Sequence, residues 1–197
     1  MKKEKKIRFI FWTFIFVGVL LVLSRRGYSD GDDVYFYQYT HEMGFLEYLK
    51  FRYDTWVGRL SGEAMVYITF RLGLTFWRVI NALMLVLLPV GILRLARVAA
   101  REPEGTLRDW WNRKPACGVL DGCAGGLGAA VTSVAGYLLM SAMTLGYAAV
   151  WVNGSIFYTW SFTCGIWALV PIAELVFYGR TDWKNFLYGI PCAVIAS

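Results

Sequence analysis

Charge is scarce in this sequence: of 197 residues only 17% are Asp, Glu, Lys or Arg, against 57% hydrophobic and 17% aromatic. A water-soluble surface would have too few charges to cover it, which excludes an ordinary soluble domain and leaves the membrane class. Histidine is nearly absent, His41 being the single one. It stands beside Glu42 in a polar stretch, where an exposed titrating side chain is the ordinary case. The four cysteines, Cys117, Cys123, Cys164 and Cys192, form no CxxC pair and have no histidine close by in sequence, so they read as packing residues and not as a metal or redox motif. The glycine-rich stretch Gly122 to Gly128 has no P-loop lysine and no Rossmann frame, and is a poor nucleotide site.

What basic charge there is gathers beside apolar segments. The net charge is +6, but Lys2, Lys3, Lys5, Lys6 and Arg8 precede the first apolar run, and six bases lie between Arg94 and Lys114. That distribution signals membrane topology and not a nucleic-acid patch, so no nucleic-acid partner is expected.

Five apolar segments follow one another, at about 8–24, 74–93, 127–150, 157–177 and 186–197. Four have spanning or near-spanning length for a hydrocarbon core of about 30 Å, and the fifth stops short. The expected fold is therefore all-α, a polytopic transmembrane bundle in one membrane domain. The first segment reads as an anchor, because Arg25 and Arg26 directly after it disfavour signal cleavage near Val22 and Ser24. The third has a glycine-rich lead-in, with Asp121 placed near the cytoplasmic face. Five bases against Glu4 in the amino-terminal tail, and six bases against three acids from Arg94 to Lys114, put both on the cytoplasmic side. The stretch 25–73 and the turn around Trp151 to Ser155 are then outside.

The first outer stretch is too long for a mere connector. It opens with Asp30, Asp32 and Asp33, carboxylates close enough to bind a divalent cation or to push one pKa upward. The plainer reading is a solvated acidic turn. From Phe45 to Leu60 the residues Phe45, Leu46, Leu49, Tyr53, Trp56, Val57 and Leu60 share a third of a helical wheel. They predict an amphipathic helix along the membrane surface, with Tyr53 and Trp56 at headgroup depth. Arg59 and Glu63 sit four apart and suit an ion pair if that helix continues, and a fixed Arg59 suits a phosphate. In the second outer turn Asn153-Gly154 predicts a tight turn flanked by Trp151, Phe157, Tyr158 and Trp160.

An anchor, an outer Asp32-Asp33 pair, a surface helix, the string Trp56-Val57-Gly58-Arg59, Asn81, and a later outer stretch Asn153 to Trp160 together resemble bacterial membrane proteins of the glycosyltransferase C type. The resemblance is nearest to families grouped with O-antigen glucosyltransferases. It implies Asp32 or Asp33 as catalytic base or metal ligand, Trp56, Arg59, Glu63, Asn153 and Tyr158 around the substrate, and a polyprenyl-phosphate sugar as donor. It also implies membrane lipid as partner, transfer on the outer side of the bacterial inner membrane, and an amino-terminal portion of a longer protein, since such proteins have more spans. A non-catalytic membrane scaffold or transporter subunit, with solvated outer acids, is the alternative.

Overall fold

The computed structural model describes residues 2–29, 31–56, 59–99, 127–138, 140–178 and 183–197. Every regular element among them is helical, as expected of an all-α chain. The helices are α1 (Lys2–Ser24), α2 (Asp32–Glu42), α3 (Phe45–Thr55), α4 (Leu60–Leu72), α5 (Leu74–Ala99) and α6 (Leu127–Leu138). Then come α7 (Ala142–Leu145, passing into a π turn over Gly146–Val150), α8 (Val152–Gly154, a π segment Ser155–Trp160, then Ser161–Tyr178) and α9 (Trp183–Ala196). Two runs, Leu74–Ala96 and Val152–Phe177, are long and apolar enough to cross a membrane, and Phe9–Ser24 is a shorter apolar helix.

Three sequence expectations change. The stretch 25–73 holds three helices where one was expected, α2 and α4 being the additions. The surface helix expected from Phe45 to Leu60 ends at Thr55, because Trp56 takes φ −135° and ψ −70°. The segment 127–150 is broken between Leu138 and Ala142: Ser141 Oγ accepts the Thr144 N–H at 3.1 Å and starts a new helix there. The twelve residues of α6 reach only about 18 Å at 1.5 Å per residue, short of a bilayer core.

Helices α5, α8 and α9 approach closely at small residues. A Cβ on Gly91 of α5 would stand 2.8 Å from Trp167 Nε1, and one on Gly189 of α9 would stand 2.8 Å from Pro171 Cγ. Backbones can come this near only where a side chain is missing. Pro89 lies inside α5 and has no N–H for the carbonyl of Leu85 four residues back. That carbonyl accepts the Tyr137 hydroxyl from α6 at 2.8 Å, and Leu87 O nearby accepts Trp167 Nε1 at 2.9 Å. A Tyr137→Phe chain strands the Leu85 carbonyl, and its unfolding in detergent is expected to be easier by about 1–3 kcal/mol; unchanged stability would mean the carbonyl finds another donor.

Where α1 to α5 meet the start of α8, Leu23, Phe36, Tyr48, Val66, Phe70, Trp77, Val152, Ile156 and Trp160 form one buried core. Its polar members serve the chain reversal at Trp151. The carbonyls that end α7 have no further turn to accept from, and Asn81 Nδ2 donates to Ala149 O at 2.7 Å while Thr159 donates to Ala148 O. Asn81 Oδ1 in turn accepts Trp160 Nε1 at 3.0 Å, and Trp77 Nε1 donates to Ser155 Oγ at 2.8 Å. Asn81 thus ties α5 to both sides of the reversal.

Candidate functional site

The acidic pair opens α2. Gly31 holds φ 85°, a left-handed conformation that glycine adopts without steric cost. Asp32 and Asp33 then occupy the first helical turn, where the helix dipole favours negative charge. One residue of helix turns the side chain by about 100°, so the two part company: Asp32 is exposed and lines a cavity, while Asp33 is fully buried.

Asp33 is a tether. Its Oδ2 accepts the Ser29 N–H at 2.9 Å and the Ser29 hydroxyl at 3.0 Å, and its Oδ1 accepts the Asn153 N–H at 3.1 Å. The carboxylate therefore caps the amino-terminal end of α8 and joins it to the loop before α2. Burial pushes the Asp33 carboxyl above its ordinary pKa, against the pull of Ser29 and Asn153. The Trp151 indole N–H lies near enough to pull the same way, but has no partner of hydrogen-bonding geometry. With its native pKa raised, Asp33 favours folding most below about pH 4, and that contribution is lost as pH rises through the native value. The stability difference between the native chain and Asp33→Asn is expected to shrink from pH 4 toward neutrality, read by denaturation of the solubilised protein; a difference that widens would reverse the sign of the shift.

The second wall comes from α3 and α4. Glu63 is fully buried; Arg52 Nη2 donates to its Oε1 at 2.8 Å and the Tyr48 hydroxyl to its Oε2 at 2.6 Å. Burial, and then the hydrogen bond to Glu63, hold the Tyr48 hydroxyl far above its ordinary pKa. The Arg52 guanidinium lies 4.8 Å from the Phe36 ring centroid and 5.8 Å from that of Trp56, within cation–π range.

Asp32, Tyr35, Phe36, Tyr39, Arg52, Trp56, Arg59, Glu63, Trp151, Asn153, Gly154, Phe157 and Tyr158 enclose a cavity of about 350 Å³. Six of the residues singled out by sequence, Asp32, Trp56, Arg59, Glu63, Asn153 and Tyr158, meet there, and Asp33 stands behind the wall through Asn153. Three buried polar atoms of the lining residues lack a partner among the described residues, the donors Arg52 Nε and Trp151 Nε1 and the acceptor Asn153 Oδ1; buried polar groups are nearly always paired, so these ask for a ligand or water.

Several details differ from expectation. Glu63 pairs with Arg52 and not with Arg59, since Arg59 is the cap residue before α4 and is exposed. Asn153-Gly154 is no tight turn: the reversal falls at Trp151, with φ −78° and ψ 130°, and both residues belong to the first turn of α8. Asp33 is closed to a cation by burial and by three donors, and among the described residues no group of three His, Cys, Asp or Glu gathers to hold a metal. His41 is exposed, stacked at 4.1 Å on Tyr37. Cys164 and Cys192 are free thiols. Asp30, Val57, Gly58, Cys117, Asp121 and Cys123 lie outside the described residues.

Arg52 and Tyr48 were missed. They stand four apart on α3, on the flank of the apolar stripe next to Phe45, and that spacing was their only signal.

A second cavity, about 740 Å³, runs between α5, α6, α7 and α8. It is lined by Leu85, Leu88, Met140, Leu145, Ile166 and Leu169 among others, and shares Phe157 and Tyr158 with the polar cavity. The sequence matches no protein-family model, no curated protein and no solved structure.

Proposed function

We propose that this chain is a multi-pass protein of the bacterial inner membrane, amino terminus cytoplasmic, and resembles glycosyltransferases that move a sugar from a polyprenyl-phosphate donor on the outer face. The observation that carries the reading is a polar cavity holding one exposed carboxylate and two arginines, with Phe157 and Tyr158 as a wall in common with a larger apolar cavity. A donor of this class needs both halves, an anion site for its phosphate and an apolar channel for its tail. Large exposed apolar side chains such as Phe9, Phe14, Leu21, Phe162 and Val176 are a liability in water and ordinary against lipid.

In this reading Asp32 takes the proton of the acceptor hydroxyl as its oxygen attacks the anomeric carbon. The bond from that carbon to the phosphate oxygen breaks and the electron pair leaves with the phosphate, whose growing charge faces Arg59 and Arg52. Arg52 is already bound to Glu63, so Arg59 is the mobile cation and Arg52 the fixed one. Asp33 positions α8 and takes no proton from substrate.

Membranes carrying the full chain, supplied with labelled polyprenyl-phosphate hexoses, are expected to transfer the label, and Asp32→Asn to lower the rate about a hundredfold or more with the protein still inserted. Undiminished transfer by Asp32→Asn would sink the assignment. No transfer by the native chain from any such donor favours the scaffold or transporter subunit.

A further inference from the structure

A third cavity lies on the far side of Trp151. It measures about 700 Å³ and is lined by Arg25, Arg26, Gly27, Tyr28, Ser29, Met143, Gly146, Tyr147, Val150 and Trp151. Only Trp151 is common to it and the Asp32 cavity, so the two are separated by the indole ring and by the sealed Asp33 tether.

Its charge is one-sided. Arg25 and Arg26 are exposed and follow the end of α1 directly, and among the described residues neither has a carboxylate partner. Behind them Arg78 of α5 donates from Nη2 to Arg26 O at 2.6 Å. Its Nε is buried with no acceptor among the described residues, so a third cation is pressed against the same turn, and it too has no carboxylate partner among them. Interface arginines often only anchor a helix end in headgroups. Here they front an open cavity with aromatic walls: Tyr147 and Trp151 pack edge to face at 6.0 Å, and Tyr28 is held in place by stacking on Phe70 at 5.2 Å. An anchor requires no such cavity. Guanidinium groups with free donors beside a cavity suit a phosphate oxyanion, bound by paired N–H donors.

We propose that the Arg25, Arg26 and Tyr28 cavity is a separate binding site for a phosphate-bearing group, taken from a lipid headgroup or from free phosphate, with Arg78 fixing the turn that presents the two arginines. The site stands whether or not the Asp32 cavity transfers sugar.

The test uses the full chain in detergent and tryptophan fluorescence, with Trp151 on the cavity wall as one of the reporters. Dioctanoyl phosphatidic acid is compared with dioctanoylglycerol, which has the same tails and no phosphate. The phosphatidic acid is expected to bind saturably, and R25Q/R26Q to weaken it about tenfold or more, while R25K/R26K, which keeps the charge and loses the paired donors, falls between the two. Residual binding in R25Q/R26Q that Arg59→Gln removes belongs to the other cavity. Competition by inorganic phosphate assigns the site to the free ion; saturable binding of the lipid alone assigns it to a headgroup. Equal binding of dioctanoylglycerol by the native chain, or native affinity in R25Q/R26Q of normal helix content, overturns the proposal.

Discussion

Glu63→Ala is expected to destabilise the chain by about 3–5 kcal/mol, the range for breaking a buried ion pair by removing one partner. The size follows from what is left behind. Glu63 is fully buried and the Arg52 side chain is 12% exposed, so the guanidinium keeps its charge in a poorly solvated place beside the Phe36 and Trp56 rings. Tyr48, equally buried, loses the acceptor its hydroxyl has among the described residues and adds a desolvation cost of about 1–3 kcal/mol. Arg52→Ala strands the Glu63 charge and should fall in the same range. The double variant R52A/E63A removes both charges, and its loss is expected to be well below the sum of the two singles. Denaturation of all four proteins in one detergent measures the coupling; strict additivity would mean that the pair contributes nothing as a pair.

That pair marks the limit of what the sequence discloses. Periodicity and apolar run length located α1, α5, most of α8 and most of α9, because those features are local. The same reasoning predicted α3 from its apolar stripe, of which Leu46, Tyr53 and Trp56 are exposed and Leu49 packs against the core. It gave no hint that the flank beside the stripe is buried through Tyr48 and Arg52, since their partner lies eleven residues away from Arg52 on another helix and no period connects them. Helix α4 escaped for a related reason: its buried face includes Gly62, Glu63 and Thr69, a composition that reads as loop until the partners are known. Asp32 and Asp33 were legible as a pair and not as two roles, because which carboxylate turns inward depends on where α2 begins, and Gly31 decides that. Asn153-Gly154 misled most. The dipeptide has the turn chemistry of an exposed hairpin, yet the glycine is there for lack of space and not for a special dihedral angle.

Gly154→Ala carries that last point to a measurable consequence. Gly154 is ordinary α-helical in conformation, φ −61° and ψ −38°, so backbone preference alone would welcome alanine. The obstacle is that the new Cβ would stand 2.0 Å from the Tyr147 carbonyl oxygen and 2.8 Å from Trp151 Cε3. A flexible side chain could swing aside; a backbone carbonyl in the π turn of α7 cannot. Relief requires the two arms of the reversal to separate, which strains the bonds around it: Thr159 to Ala148 O, Asn81 to Ala149 O and to Trp160, Asn153 N–H to Asp33, and Trp77 to Ser155. Overpacking alone costs about 1–3 kcal/mol, and loss of two or three of these bonds adds about 1 kcal/mol each. A total of about 4 kcal/mol is expected in denaturation, with the Asp32 cavity losing its Asn153 wall. Any transfer activity that depends on that cavity should fall with it, whereas Gly128→Ala, where a Cβ meets nothing within 4 Å, should leave both unchanged. If Gly154→Ala is as stable as the native chain, α7 and α8 do not approach as closely as this reversal requires, and the Asn153 wall of the cavity is not held in place by it.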